Sequence, residues 1–292
     1  MNSFTIKDLE SLSGIKAHTI RIWEQRYSFL KPQRTTTNIR YYTSEELKTV
    51  LNIALLNKYG FKISHIDKMN EDEISQKLIS LTDVQAQQEK LINDLIGYMI
   101  DMNIEKFEAG IDKFIRARGI ERAINQLIFP FLERIGILWQ TNHINPAQEH
   151  LVTNIIRQKL IVGIDNASSL FSSSKTVLLF LPEGEHHELG LLYVYYLLKG
   201  RGVKVLYLGA NVPAKDVVFV VNTIKPHHLY THITCIPGNQ RMEKYINFLH
   251  EQVPQIPFFI SGQFAQQPTK SKIQGIEFKK TMSEVLEYVA TI

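Results

Sequence analysis

From Thr176 onward, apolar strand-like runs alternate with helix-like runs, and this alternation limits the possible fold more than any other feature of the chain. A strand–helix–strand series predicts a parallel sheet with helices on both faces. Strands are predicted at Thr176–Leu181, Val203–Leu208, His228–Cys235, Pro257–Ser261 and Ile276–Phe278, with helices at Leu189–Lys199, Ala214–Ile224, Arg241–Gln252 and Met282–Ala290. Residues 174–292 should therefore form a flavodoxin-like (Rossmann-type) α/β domain, which binds ligands at the carboxyl ends of its strands.

The loop after the first predicted strand carries residues suited to that position. Glu185, His187 and Gly190 follow one another at spacings of two and three residues. Neutral imidazole is a good transition-metal ligand, and a carboxylate bonded to its other nitrogen fixes the tautomer. Glycine lets a ligand pass close to the backbone. A lone histidine is more often an ordinary structural residue, so a ligand site here needs support from the rest of the chain.

The middle of the chain predicts a helical bundle, because helical periodicity continues there without a strand-like run. Serine-rich residues after Asp165 predict a linker between this bundle and the sheet. The acidic run 71–73 and the polar stretch 82–90 predict a linker before it. The predicted helices of the bundle are Leu91–Met99, Ile104–Arg116, Ile120–Trp139 and Glu149–Ile164.

The amino-terminal region predicts a winged helix-turn-helix. Helices are expected at Ile6–Leu12 and Ala17–Tyr27 on either side of Gly14, and β-prone residues from Leu30 to Tyr42 surround a polar tip. Further helical periodicity runs through 44–56 and 63–69. In such a domain the second helix buries its apolar residues and turns polar and basic ones outward.

The net charge of +4 is small but unevenly distributed. Six basic residues lie between Lys16 and Arg40, against the single acid Glu24. A basic cluster is either a solvated face or a surface that binds phosphate. The helix-turn-helix spacing favours the second interpretation.

Residues 3–70 resemble the MerR family of winged-helix regulators. The resemblance rests on Thr19-Ile-Arg21-Ile-Trp23-Glu-Gln-Arg26-Tyr27, Leu30, Pro32, Arg34, Arg40, Tyr42, Leu55, Tyr59-Gly-Phe61 and Ile66. In that family the second helix enters the major groove and the wing touches the backbone, which implies double-stranded operator DNA as a partner. The implied DNA-binding residues are His18, Thr19, Arg21, Arg26, Tyr27, Arg34, Arg40 and Tyr42. Asn38 stands where the family usually has glycine; asparagine tolerates positive φ, so we expect the wing turn to be kept.

The loop Glu185-x-His187-x-x-Gly190 resembles the cobalamin-binding loop in which histidine replaces the cofactor's own lower base on cobalt. Thr231-x-Ile233 falls where that family has Ser-x-Leu, and Ser261-Gly262 follows after twenty-seven residues, where the family has two glycines. The resemblance implies that His187 is the metal ligand. It further implies cofactor contacts from Glu185, Gly190, Thr231, Ile233, Ser261 and Gly262. Ser261 departs from the family by adding a side chain where the cofactor's tail runs close to the main chain.

Trp139 is followed by nine residues and then by Glu149-His150. This spacing resembles the helical cap of adenosylcobalamin-dependent, light-sensing MerR regulators. There the tryptophan covers the upper face of the corrin and the Glu-His pair lies near the adenosyl group. Gln140 stands where the best-known of these photoreceptors have a histidine that binds cobalt after light. Glutamine is a poor cobalt ligand, so the photoproduct should differ unless His143 or His150 reaches the metal.

Together these features predict three domains, at 1–75 (winged helix), 85–165 (helical cap) and 174–292 (cobalamin-binding sheet). The expected function is a cytoplasmic transcription regulator, a repressor, that uses adenosylcobalamin as a light or cofactor sensor. The sensor would control homo-oligomerisation and operator binding. An alternative is a regulator with a degenerate, cobalamin-free pocket controlled by a partner such as an antirepressor protein.

Other classes of protein are disfavoured by the sequence. A corrinoid carrier or mutase subunit would not need the amino-terminal winged helix, so no enzymatic activity is expected. The longest apolar run, Leu189–Leu198, has ten residues, whereas a membrane helix needs about twenty. The single cysteine, Cys235, excludes an internal disulfide framework and cysteine-based zinc fingers.

Overall fold

The computed structural model describes residues 3–140, 144–170, 172–234, 239–267 and 275–292, excluding the side chains of residues 137, 139, 140, 239 and 240. Its internal contacts divide the chain into two compact units, Met1–Ile155 and Ile156–Ile292. The winged helix and most of the predicted cap share the first unit. Within the described ranges, no helix is both long enough and apolar enough to cross a membrane.

The winged helix-turn-helix is present as expected. Its elements are α1 (Ile6–Ser13), α2 (Ala17–Arg26), the antiparallel wing strands β1 (Gln33–Arg34) and β2 (Arg40–Tyr41), α3 (Ser44–Lys58) and α4 (Ile63–Ile66). Thr5 begins α1 with a capping box to Asp8, and Gly14 ends it with a φ of 73°. Trp23 of α2 is buried in one apolar cluster with Ile53 and Leu56 of α3. This packing fixes the orientation of α2 within the domain.

The wing turn confirms the expectation for Asn38. Its φ is 64°, in the left-handed region, and its backbone N–H donates to the carbonyl of Thr35 at 2.9 Å. Its side-chain oxygen accepts a hydrogen bond from Arg34 Nη1 at 2.8 Å. Asparagine therefore serves in place of the family's glycine and also holds a basic residue of the wing.

The linker predicted before the bundle is wrong. Asn70 and Glu73 form a capping box, so the acidic run is the first turn of a helix, where negative charge is favourable. Asp83 caps the next helix, whose polar first half packs through the buried Ala86. The helices of this region are α5 (Glu71–Ser80), α6 (Val84–Ile100), α7 (Ile104–Arg118), α8 (Ile120–Ala123), a π-helical turn (Ile124–Ile128), α9 (Phe129–Gln140) and α10 (Pro146–Asn166).

The second unit contains the predicted flavodoxin-like sheet. All its strand pairs are parallel, in the order β4-β3-β5-β6-β7. The strands are β3 (Thr176–Pro182), β4 (Lys204–Val212), β5 (His228–His232), β6 (Phe258–Ser261) and β7 (Ile276–Lys279); the helices are α11 (Leu189–Gly200), α12 (Ala214–Ile224), α13 (Asn239–Gln252) and α14 (Met282–Thr291). Strand β5 ends at His232, earlier than expected, and Cys235 lies outside the described residues.

The two faces of this sheet have different neighbours. Leu229, Ile233 and Ile260 share an apolar cluster with residues of α12 and α13. Tyr230 and Phe259 contact Tyr288 of α14 on the other face. The chain order reverses between β3 and β5, so the loops after these two strands flank the switch point where such sheets bind ligands.

Candidate functional site

A buried carboxylate organises the loop after β3. The side chain of Glu185 is fully buried. Its Oε1 accepts hydrogen bonds from the backbone N–H groups of His186 and His187, at 2.8 and 2.9 Å. Its Oε2 accepts from the backbone N–H of Thr234 at 2.9 Å. Glu185 therefore ties the loop after β3 to the segment after β5 across the switch point.

The same carboxylate orients the imidazole of His187. His187 Nδ1 lies 2.6 Å from Glu185 Oε1, and 45% of the histidine side chain is exposed. Because an ionised carboxylate only accepts, Nδ1 carries the proton and Nε2 is the nitrogen with a lone pair. This is the usual arrangement of a histidine that ligates a metal. Within the described ranges, no group of three or more His, Cys, Asp or Glu side chains could hold a metal ion, so His187 would ligate a metal whose other ligands come from a bound molecule.

His232 packs against Gly190 beside this loop. A Cβ added to Gly190 would lie 2.4 Å from His232 Nε2, so the imidazole occupies the space in front of the glycine. His232 Nδ1 lies 2.8 Å from Ser261 Oγ, which also accepts a hydrogen bond from Tyr230 at 2.7 Å. Desolvation lowers the pKa of His232 to about 4, so the ring is neutral at pH 7. We call Tyr230, His232 and Ser261 the β5–β6 cluster.

Thr231 and Ile233 lie on a different face of β5 from His232, and cofactor contacts from them stay a prediction. Side chains alternate along a strand, so these residues point away from the face of Tyr230 and His232. Ile233 belongs to the apolar cluster under α12 and α13. The Thr231 hydroxyl is buried and has no hydrogen-bond partner within the described part of the chain. The side chain that faces Gly190 is therefore that of His232, which the sequence pattern did not single out. His232 could have been identified only from the register of β5 and β6, which pairs it with Ser261.

Gly262 is required by the backbone of the neighbouring segment. Its φ is 89°, and an added Cβ would lie 2.4 Å from the carbonyl oxygen of Ile233. That carbonyl accepts a hydrogen bond from the backbone N–H of Phe264 at 3.2 Å, so it cannot easily move. The predicted glycine therefore shapes the end of β6, close to the serine of the β5–β6 cluster.

We expect Gly262→Ala to lower the free energy of unfolding by about 3 kcal/mol, because it combines a strained backbone with a steric overlap. Gly200→Ala is the matched control, since Gly200 has an ordinary φ and no atom within 4 Å of the added Cβ. Urea unfolding of both variants beside the wild type measures the difference. Equal unfolding midpoints for the two variants would contradict the conclusion that the backbone at position 262 requires glycine.

Glu188 fixes the other side of the loop. Its Oε1 accepts a hydrogen bond from the Tyr207 hydroxyl at 2.7 Å, and its Oε2 from Arg157 Nε at 2.9 Å. Desolvation and the bonded carboxylate raise the pKa of Tyr207 above its usual range. Glu188, the residue after His187, is thus fixed by two side chains, and it was not identified from the sequence.

The exposed face of α2 carries three of the eight predicted DNA contacts. His18, Arg21 and Arg26 are exposed, whereas Thr19 and Tyr27 are partly buried. Ile22 on the same helix is 41% exposed. Arg34 is exposed on the wing. A basic, solvent-facing helix followed by a basic wing is the arrangement of a DNA-reading surface.

The predicted DNA contact at Tyr42 is wrong. Its side chain is fully buried, and its hydroxyl donates to Glu24 Oε1. Arg40 Nε donates to Glu24 Oε2 at 3.0 Å. Glu24 of α2 therefore joins the recognition helix to the wing, and Tyr42 and Arg40 fix their relative orientation. A phosphate contact by Arg40 stays a prediction.

The predicted cap residues are only partly described. Residue 139 lies in α9, but the side chains of Trp139 and Gln140, and all of His143, lie outside the described residues. Glu149 and His150 lie in the first turn of α10, with His150 Nδ1 2.9 Å from Glu149 Oε2. His150 is 72% exposed. The pair is formed, and its role stays a prediction.

The winged helix, with its basic second helix, is typical of DNA-binding proteins. The parallel sheet that follows has a histidine suited to metal ligation at its switch point, which is typical of a ligand-binding domain. Residues 4–73 match the MerR HTH family regulatory proteins, and residues 91–162 match the B12 binding domain. The chain therefore combines a segment similar to the MerR HTH family with a segment similar to the B12 binding domain.

Two transcriptional repressors are similar to this chain over most of its length. The HTH-type transcriptional repressor CarH of Myxococcus xanthus is 26% identical over 272 residues, covering 90% of each chain. The repressor CarA of the same organism is 29% identical over 211 residues, covering 72% of this chain and 69% of that protein. Among solved structures, the monomethylamine corrinoid protein of Methanosarcina barkeri has a similar fold. Its TM-score is 0.54 at 14% identity, over 70% of this chain and all of that one.

Proposed function

We propose that this protein is a transcription repressor that binds double-stranded operator DNA through α2 and the wing and binds cobalamin through His187. The observation that carries the proposal is the imidazole of His187, oriented by the buried Glu185 at the switch point of a sheet in a chain with a segment similar to the MerR HTH family. The similarity to two repressors over most of the chain supports the regulatory role.

His187 would hold cobalamin by ligating its cobalt ion, and the adenosyl form would supply a light-sensitive cobalt–carbon bond. Glu185 keeps the proton on Nδ1 of His187, so Nε2 presents its lone pair to the metal. Glu188, held by Tyr207 and Arg157, limits movement of the loop. Contacts to the adenosyl side by Trp139, Glu149 and His150 belong to this proposal.

Regulation requires that cofactor state change DNA affinity. A single winged helix reads one half-site, so duplicated contacts in a homo-oligomer supply much of the affinity. We propose that the adenosyl form favours one assembly state and that light, by removing the adenosyl group, disfavours it. This is a population shift, which needs only a difference in affinity between two assembly states.

The test uses purified full-length protein loaded with adenosylcobalamin in the dark and a duplex selected from random sequences by this protein. We expect a coloured protein after gel filtration and a retarded DNA band in the dark. Green illumination should weaken DNA binding about tenfold or more. Protein loaded with hydroxocobalamin is the control that should not respond to light. Identical shifts before and after light would overturn the light response, and a colourless protein would overturn cobalamin binding.

A second candidate is a MerR-family regulator without cobalamin, controlled by a partner protein. The observation in its favour is the β5–β6 cluster, which fills the space in front of Gly190. In the same gel filtration this candidate predicts a colourless protein that still retards DNA.

A further inference from the structure

The side chains beside His187 determine which corrinoid can use it as a ligand. When an imidazole replaces the cofactor's own lower base, that base and its nucleotide arm stay attached to the ring on the same face as the imidazole. The arm must therefore enter the protein next to His187. Gly190, three residues after His187, has no side chain of its own, and His232 of the β5–β6 cluster lies against it.

The β5–β6 cluster occupies that space with an ordered side chain. A Cβ added to Gly190 would overlap with His232 Nε2, so there is no room for another group between the imidazole and the glycine. Its Nδ1 is held by Ser261, and Ser261 is held by Tyr230, so three residues on two strands support one imidazole. Tyr230 and Ser261 are buried, so the support is internal to the fold.

We propose that His232 acts as a gate for the nucleotide arm, so that this site discriminates against corrinoids that carry the arm. A corrinoid that lacks the nucleotide needs only His187 and leaves His232 in place. Cobalamin requires His232 to leave Gly190 and to break its hydrogen bond to Ser261. This inference rests on the proposed function, since it assumes corrinoid binding at His187.

The test compares adenosylcobalamin with adenosylcobinamide, which lacks the nucleotide, by equilibrium binding followed through visible absorption in the dark. The informative quantity is the ratio of the two dissociation constants in each protein. Free cobalamin must release its own lower base before His187 binds, and this cost cancels when the ratio is compared between wild type and variant. In His232→Ser we expect the ratio to shift in favour of cobalamin by on the order of tenfold, with cobinamide affinity changed less than about threefold.

Two further variants complete the comparison. Ser261→Gly removes the support of His232 and should shift the ratio in the same direction. His227→Ser is the control, because His227 precedes β5 at the opposite end of that strand and is exposed. Cobinamide binding by His232→Ser reports that the variant is folded. An unchanged ratio in His232→Ser would overturn the gate. Failure of the wild type to bind either corrinoid would instead overturn the proposed function, and the gate with it.

Discussion

The variant Glu185→Ala is expected to lose corrinoid binding about as fully as His187→Ala and to lose stability as well. Its carboxylate accepts hydrogen bonds from the backbone N–H groups of His186, His187 and Thr234. A fully buried donor left without an acceptor costs about 1–3 kcal/mol, and since these three hydrogen bonds are part-buried, the cost per donor should lie near the lower end. Removing the partner of a metal-ligating histidine lowers metal affinity by about 10–100-fold. Urea unfolding measures the first effect, and titration with adenosylcobinamide measures the second.

The two variants separate binding from stability. His187→Ala removes a side chain that is 45% exposed, so its unfolding midpoint should change much less than that of Glu185→Ala. Glu183→Ala is the control for loss of a carboxylate near the same loop, because the Glu183–Arg241 ion pair is exposed. Exposed ion pairs contribute about 0–1 kcal/mol. If Glu185→Ala behaved like Glu183→Ala in both assays, the buried carboxylate would not have the role assigned to it.

The sheet could be predicted because each of its strands is recognisable from its own short stretch of sequence. The buried strand β3 reads as a continuous apolar run, as strands covered on both faces do. The first linker could not be predicted by the same criterion. A cluster of acids such as 71–73 interrupts an apolar pattern, yet at the amino terminus of a helix it is stabilising, and only the capping box of Asn70 and Glu73 distinguishes the two cases.

The site was predictable to the extent that it lies within one loop. Glu185 and His187 are two residues apart, so their hydrogen bond follows from the sequence spacing. The contact between His232 and Ser261 depends on the register of β5 and β6, and a shift of one residue moves a side chain to the opposite face. This is why the sequence pattern pointed to Thr231 and Ile233 and did not single out His232.

In the winged helix, too, the orientation of one side chain depends on a pairing between distant residues that the sequence does not show. A tyrosine after the second wing strand can point to DNA or to the core, and its sequence neighbours do not decide between them. The isolated bridge between Phe4 and Tyr42 places these two residues side by side, and both side chains are fully buried. The exposed basic residues of α2 do not depend on such pairing, because helical periodicity alone turns them outward.

The double substitution Arg21→Ala with Arg26→Ala is expected to weaken operator binding by at least tenfold at about 0.1 M salt, because both side chains are exposed on α2. For every phosphate that is no longer bound, the slope of log K against log salt should also fall by about 1, and this separates binding to phosphates from binding to bases. Arg116→Ala with Arg118→Ala removes the same charge from exposed positions on α7, outside the winged helix. Binding to the selected duplex, measured across a salt series for both double variants, gives the comparison. Equal weakening by the two would mean that net charge, rather than the surface of α2, accounts for DNA affinity.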